Sequence, residues 1–173
     1  MAREAQTQVF RRMKLTENTM KLESTLKVIN EKQFKGMRGV TDGQTYTRLV
    51  GWPEVFMTDR VRLGRASYLP GTYEQLHWHP IEACYYVISG HATVRDVNGK
   101  EFEVEAGSII YAPPGIAGAH EWQVKEALEL IDIRACNETN RKMQFTVDKA
   151  TMRSYIDLDE LEKREGISFK SHY

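Results

Sequence analysis

From Thr45 onward, the chain is divided into short segments rich in β-branched, aromatic and aliphatic residues by closely spaced turn residues. Such segments, bounded by Gly, Pro, Asn or Asp, are typical of β-strands. Asn98-Gly99 lies between two of them and is the strongest short hairpin signal in the chain. The predicted strands are residues 45–50, 61–68, 76–79, 83–88, 91–97, 101–104, 108–111, 128–134 and 143–147. This pattern predicts an all-β fold, an antiparallel sandwich or barrel.

The length of 173 residues, 41% of them hydrophobic, fits one globular domain with its own core. We expect an N-terminal arm over residues 1–44, a β-barrel over 45–148 and a C-terminal tail over 149–173. Within the tail, a short helix is predicted from Asp157 to Glu165, because Gly166 ends the favourable run.

The overall charge indicates neither nucleic acid nor membrane as a partner. Lys and Arg number 24, and so do Asp and Glu. The arm is basic, with nine Lys or Arg against four Asp or Glu in residues 1–40, which favours a solvated arm over a nucleic-acid contact. No apolar run is long enough to span a membrane, and the first ten residues lack the apolar core of a signal peptide. Cys84 and Cys136 are then expected to be reduced thiols of a cytoplasmic protein.

His77-Trp78-His79 is the segment richest in chemistry. Two of the five histidines of the chain stand here at i and i+2. In a β-strand this spacing directs both side chains to one face. Two imidazoles on one face form half of a transition-metal site, although a histidine pair can also hydrogen-bond within a core.

This segment resembles the first motif of the cupin superfamily, which reads Gly, five residues, His-x-His, three or four residues, Glu, six residues, Gly. Gly71, the two histidines and Gly90 are in register. Ala83 occupies the Glu position, and Glu82 comes one residue earlier. A shift of one residue along a strand reverses the face. Glu82, the candidate catalytic residue, therefore reaches the metal only if the turn from His79 to Ala83 is distorted, and is otherwise a carboxylate at the rim or one that supports the ligands.

The second cupin motif reads Gly, five residues, Pro-x-Gly, two residues, His. The segment from Gly107 to Pro113-Pro114-Gly115 resembles it in register, and His120 follows two residues later than the motif requires. An insertion of two residues preserves the strand face, because the side-chain period is two. We therefore expect His120 to be the third metal ligand beside His77 and His79.

The resemblance covers about residues 65–136 and implies a small cupin-type jelly-roll barrel. A site with three histidines and no Glu is similar to that of non-heme iron cupin dioxygenases acting on acetylacetone or dihydroxyacetophenone. It implies Fe(II), with Zn, Mn, Ni or Cu as alternatives, and a small carbonyl or phenolic substrate together with dioxygen. Three neutral ligands leave a divalent ion at plus two, which favours a chelating anion as substrate. A non-redox isomerase or lyase and a non-catalytic binding protein remain the alternatives.

Strand parity predicts the residues around a substrate. Tyr73 and Gln75 are expected to share the face of His77, Tyr85 that of Ala83, and Trp122 that of His120. Together they predict an apolar pocket with few polar groups. Because cupins commonly pair, and because the arm carries Val9, Phe10, Leu15, Leu22 and Leu26, we also expect a homodimer.

Overall fold

The structure is a computed structural model that describes residues 23–135 and 144–159. In these residues the chain forms twelve strands and two single-turn 3-10 helices, the latter at Glu31–Gln33 and Ile116–Gly118. The strands are β1 Met37–Arg38, β2 Gln44–Val50, β3 Val61–Tyr68, β4 Tyr73–Trp78, β5 Ala83–Ser89, β6 His91–Asp96, β7 Glu101–Glu105, β8 Ile109–Ala112, β9 His120–Val124, β10 Leu128–Ala135, β11 Phe145–Asp148 and β12 Arg153–Tyr155.

The strands form two antiparallel six-stranded sheets. Their orders are β1-β2-β3-β10-β5-β8 and β12-β11-β4-β9-β6-β7. Most neighbouring strands in each sheet are far apart in the chain, because the chain passes repeatedly from one sheet to the other, as in a jelly roll. The expected jelly-roll fold is confirmed, although the two sheets do not close into a continuous barrel.

The main core contains inward side chains from both sheets. Tyr85 and Leu130 come from the first sheet, and Val94 and Trp122 from the second. All four are almost completely buried. Because alternate residues of each strand point inward, the same interior also receives polar side chains from β4, β9 and β10. These polar groups form the candidate site.

The predicted strands are present with boundaries shifted by at most a few residues. Three further strands, β1, β9 and β12, were not among them, and two of these lie outside residues 45–148. The predicted helix falls mostly on residues 160–165, outside the described residues, as do Cys136 and the apolar arm residues before Leu26. Cys84 is a free thiol. Among the described residues, no helix has the length and hydropathy required to cross a membrane.

Candidate metal centre

The three histidines of the two motifs lie together in the interior. His77 in β4 pairs directly with His120 in β9 across the second sheet, and His79 follows β4 immediately. All three side chains are buried, and one nitrogen of each lies within 4.8 Å of the others. The expected convergence of His77, His79 and His120 is therefore present, with the spacing that could hold a metal ion.

The two extra residues before His120 are absorbed by the turn between β8 and β9. Gly115 has a φ of 84°, a left-handed conformation that favours glycine, and the Ile116–Gly118 3-10 helix follows it. A Cβ on Gly118 would lie only 1.9 Å from the carbonyl oxygen of Pro113, so the turn requires glycine there. The turn returns the chain to the sheet with His120 on the inner face.

A β-bulge in β4 brings a carboxylate into the site that strand parity did not predict. Glu74 pairs with Trp122 and His77 with His120, so three steps along β4 face two along β9. The extra residue turns Glu74 and His77 to the same inner face. Glu74 is buried, and its Oε1 atom lies 3.5 Å from Nε2 of His77. Its other oxygen accepts a hydrogen bond from the hydroxyl of Tyr68 at 3.3 Å.

Two of the three histidines are prepared for a metal by their hydrogen bonds. Nδ1–H of His77 donates to the carbonyl oxygen of Gln75 at 2.7 Å, and Nδ1–H of His120 to that of Gly118 at 2.8 Å. These bonds fix the tautomer that leaves a lone pair on Nε2. Burial lowers the pKa of His77 to about 4, and burial together with the neighbouring His77 lowers that of His120 to about 3. Both rings are thus neutral near pH 7, as a metal ligand must be.

His79 is held differently, by Arg134. A guanidinium can only donate, so the 2.9 Å contact makes Nδ1 of His79 the acceptor. In the neutral ring the proton is then on Nε2. Arg134 also donates from Nε to both oxygens of the buried Asp132, at 2.9 and 3.0 Å. For His79 to bind a metal through Nε2, its proton must move to Nδ1 and the contact with Arg134 must be released.

Tyr85 connects the histidines to the rest of the interior. Its hydroxyl lies 3.2 Å from Nε2 of His120 and 3.4 Å from Nε2 of His79. Burial raises the pKa of this phenol well above its ordinary value, so the hydroxyl keeps its proton and can donate. Trp122 packs edge-on against Tyr85, with ring centroids 5.5 Å apart, and against His120 at 6.3 Å. Both residues therefore lie at the centre on the inner face, as parity predicted.

The prediction that Tyr73 and Gln75 share the inner face of His77 is wrong, because it assumed regular alternation and the bulge interrupts that alternation. Both side chains lie on the exposed face of β4, and Tyr73 donates its hydroxyl proton to Glu121 at 2.7 Å. Gln75 contributes to the centre only through its backbone carbonyl, the acceptor for His77. A bulge has no signature in a period-two pattern, so strand parity could not predict that Glu74 points into the interior.

Glu82, the predicted catalytic carboxylate, lies away from the histidines. Its side chain is exposed and accepts a hydrogen bond from the hydroxyl of Tyr111 at 2.9 Å. Ala83, at the position where the motif has Glu, is fully buried and lies opposite Arg134 in the β5–β10 pair. A different carboxylate, that of Glu74, approaches a histidine of the centre, at 3.5 Å from His77.

A cavity of about 90 Å³ lies between the sheets next to this centre. Glu74 and Tyr85, which contact the histidines, form one part of its wall. The expectation of an apolar pocket with few polar groups is wrong. Aromatic rings are present, but the wall also contains four arginines and two carboxylates, namely Arg38, Arg48, Arg62, Arg134, Glu74 and Asp132.

Sequence comparison agrees with the two motifs. Residues 64–134 match the family described as Cupin domain. This segment of the chain is a cupin domain. No curated protein matches the chain in sequence.

Solved structures resemble the cupin domain at low sequence identity. The polyketide cyclase RemF from Streptomyces resistomycificus aligns with 79% of this chain and 91% of its own, at 20% identity and a TM-score of 0.61. The DMSP lyase DddQ from Ruegeria pomeroyi DSS-3 aligns with 65% of this chain and 60% of its own, at 15% identity and a TM-score of 0.55. The salicylate 1,2-dioxygenase from Pseudoaminobacter salicylatoxidans aligns with 56% of this chain but only 26% of its own, at 18% identity and a TM-score of 0.50. At these identities the likeness is one of fold.

Proposed function

We propose that this cupin is a metal-dependent enzyme acting on a small organic substrate bound in the cavity beside the histidines. The observation that carries the proposal is the convergence of three buried imidazoles, two of them locked as neutral Nε2 ligands. The ring nitrogens of the three side chains lie within 4.8 Å of one another, a spacing that suits ligands around one ion. The adjoining cavity, whose wall includes Glu74 and Tyr85 beside the histidines, offers a place for a substrate.

His77, His79 and His120 would hold the ion, with Fe(II) as our first choice and Zn, Mn, Ni or Cu as alternatives. A divalent ion there would polarise a substrate carbonyl or hydroxyl, and iron would add chemistry with dioxygen. We further infer that Glu74 supplies the carboxylate to this centre that Ala83 does not. This choice over Glu82 is supported by the burial of Glu74 and its 3.5 Å approach to His77.

The side chains around the centre have separable tasks. Tyr85 keeps its proton and can donate it to an oxygen of the substrate once the ring nitrogens are engaged. Trp122 is buried behind Tyr85, so it restricts water and supports the ring orientation. Arg134, held by Asp132, adds a positive charge next to His79, which favours an anionic form of the substrate.

For the reaction itself, our first candidate is a dioxygenase that oxidises or cleaves a small carbonyl or phenolic compound. Three histidines on one face of an ion leave room for a chelating substrate and for dioxygen. The second candidate, a non-redox isomerase or lyase, is favoured by one observation, the presence of both a carboxylate and a protonated tyrosine at the centre. Solved structures of this fold include a cyclase, a lyase and a dioxygenase, so the fold does not choose between them.

Oxygen consumption separates these candidates. Iron-loaded protein is mixed in an oxygen electrode with a diketone, a hydroxyketone and a catechol, and the His120→Ala variant serves as the control. Uptake that depends on His120 supports the dioxygenase. Turnover of the same panel by a zinc or manganese form without oxygen uptake would replace it with the isomerase or lyase. No turnover of any member by any metal form would favour a non-catalytic binding protein.

We also propose that the protein is a homodimer. A group of exposed apolar side chains lies on the outer face of β5 and β8, at the edge of the first sheet: Tyr86, Ile88, Ile109 and Tyr111. The β5–β8 pairing aligns Tyr86 with Ile109, so these side chains form one patch. Contiguous exposed apolar surface of this kind is typical of an interface, and a second copy is the commonest partner.

A further inference from the structure

The cavity beside the histidines is unusually rich in cations. Of the four arginines in its wall, Arg134 is already held by both oxygens of Asp132. The remaining three, Arg38, Arg48 and Arg62, are named here the arginine cluster. They come from β1, β2 and β3, which are consecutive strands of the first sheet. Glu74 is the other carboxylate of the wall, and it belongs to the histidine end.

Two acidic partners of the cluster lie outside the cavity wall. Arg38 pairs with Asp42 at 2.9 Å, and Arg48 pairs with Glu54 at 2.7 Å. Asp42 is 98% exposed and Glu54 is 50% exposed. Exposed pairs of this kind contribute little, because water screens them. An anion inside the cavity can therefore compete for the guanidinium groups of Arg38 and Arg48.

Two further contacts indicate where an anion would bind. Arg62 lies directly opposite Arg134 in the β3–β10 pair, and like charges placed opposite each other destabilise a sheet. Arg48 and Arg62 also contact the same indole, with their guanidinium carbons 5.4 and 5.0 Å from the centroid of the Trp52 ring. Trp52 is itself buried, so it positions both cations at the cavity wall.

We propose that the arginine cluster binds the carboxylate of the substrate, and that the substrate is a small aromatic carboxylic acid. Guanidinium groups bind carboxylates through paired hydrogen bonds of matching geometry. The cavity is small and also lined by Tyr46, Trp52 and Trp122, which suit a flat unsaturated body. Its other part, at Tyr85 and Glu74, places the remaining end of such an acid beside the histidines. The inference rests on the proposed function, since it names the substrate class of the same site.

The test measures binding to the metal-free protein, so that it does not depend on turnover. The probes are benzoate, its neutral analogue benzamide and inorganic phosphate, each titrated by calorimetry. We expect benzoate to bind at least about 10-fold more tightly than benzamide, since a hydrogen bond to a charged group is worth that much. Added salt should weaken the binding of benzoate and leave the binding of benzamide unchanged.

Variants then assign the effect to the cluster. Arg62→Gln should weaken the binding of benzoate about 10-fold without changing the binding of benzamide. Arg62→Lys, which keeps the charge but not the planar group, should retain part of the affinity. Arg60→Gln is the matched control, because Arg60 is 89% exposed, pairs with Asp59 and is not part of the cavity wall. Thermal unfolding of each variant shows whether it is folded.

Three results would overturn the inference: equal binding of benzoate and benzamide, equal effects of Arg62→Gln and Arg60→Gln, or phosphate binding as tightly as benzoate. The last would assign the cluster to inorganic anions. If benzoate binds as expected but no metal form shows turnover, only the proposed enzymatic function fails. If a neutral substrate is turned over while benzoate does not bind, only the present inference fails.

Discussion

Oε1 of Glu74 lies 3.5 Å from Nε2 of His77, although the two residues stand three apart on one strand. In a regular strand they would point to opposite faces. The bulge between them, visible in the shifted pairing of β4 with β9, places both in the interior. The centre is therefore not purely histidine, in spite of Ala83 at the motif position.

Glu74→Gln should weaken metal binding about 10-fold or more, because groups around a metal commonly have effects of that size. Glu82→Gln is the matched control, since its carboxylate is exposed and bound to Tyr111. Affinity is measured by competition with a chelator for Fe(II) and for Zn(II). If Glu82→Gln weakened metal binding more than Glu74→Gln, the carboxylate that supports the metal would be Glu82.

His120→Ala should reduce bound metal by about 10-fold or more, since it removes a ligand outright rather than a supporting group. His91→Ala provides the comparison, because His91 lies at the surface of β6 and contacts Glu103 at 2.8 Å. Metal content after dialysis, measured by elemental analysis, checks the prediction. Full occupancy in His120→Ala would mean that the third ligand is another residue.

The metal-free protein should lose stability as the pH falls from about 7 toward 4. The pKa of His77 is lowered from 6.5 to about 4 by burial. Between these values the unfolded chain binds more protons than the folded one, so the free energy of unfolding decreases with acid. The contribution of His77 is at most about 3.5 kcal/mol, for a change of about 2.5 pKa units at about 1.4 kcal/mol per unit. Chemical denaturation at several pH values should give a flatter profile for His77→Gln, and an unchanged profile would contradict the burial of a neutral ring.

Tyr85→Phe should lower turnover about 100-fold while changing metal affinity only slightly, because it removes a proton donor and no ligand. The loss of its buried hydrogen bonds should cost about 1 kcal/mol of stability. Tyr86→Phe is the neighbouring control on the exposed face of β5. A parallel fall in metal affinity would show that Tyr85 organises the histidines instead of acting on substrate.

Ile109→Lys should convert the proposed homodimer into a monomer at micromolar concentration. Ile109 is 75% exposed within the apolar patch, and a buried charge at an interface is costly. Leu69→Lys changes an exposed residue of the same kind elsewhere on the surface and should have no effect. Light scattering gives both masses. A monomeric parent protein would remove the basis for the homodimer.

The sequence predicted the strands well because their signals are local. The turn at Asn98-Gly99 and the alternating segments from Val61 to Tyr68 and from Leu128 to Arg134 depend on backbone geometry and on burial of one face. The bounds of β3 match the prediction at both ends, and β10 extends one residue further. By contrast, β1 has only two residues and no pattern of its own, and it exists because β2 offers it a partner.

For the site, the motifs in the chain were sufficient to predict which histidines could act together. The resemblance to the two cupin motifs selected His77, His79 and His120, and parity kept them on one face, because the i, i+2 spacing and a turn insertion of two residues both preserve it. The other residues of the site depend on how the strands pair in space. A single extra residue in β4 inverted the parity of Glu74, Tyr73 and Gln75, and the pairing of β3 with β10, which are far apart in the chain, placed Arg62 of the arginine cluster opposite Arg134. Such pairing is fixed by the packing of two sheets on one another, which no local pattern encodes.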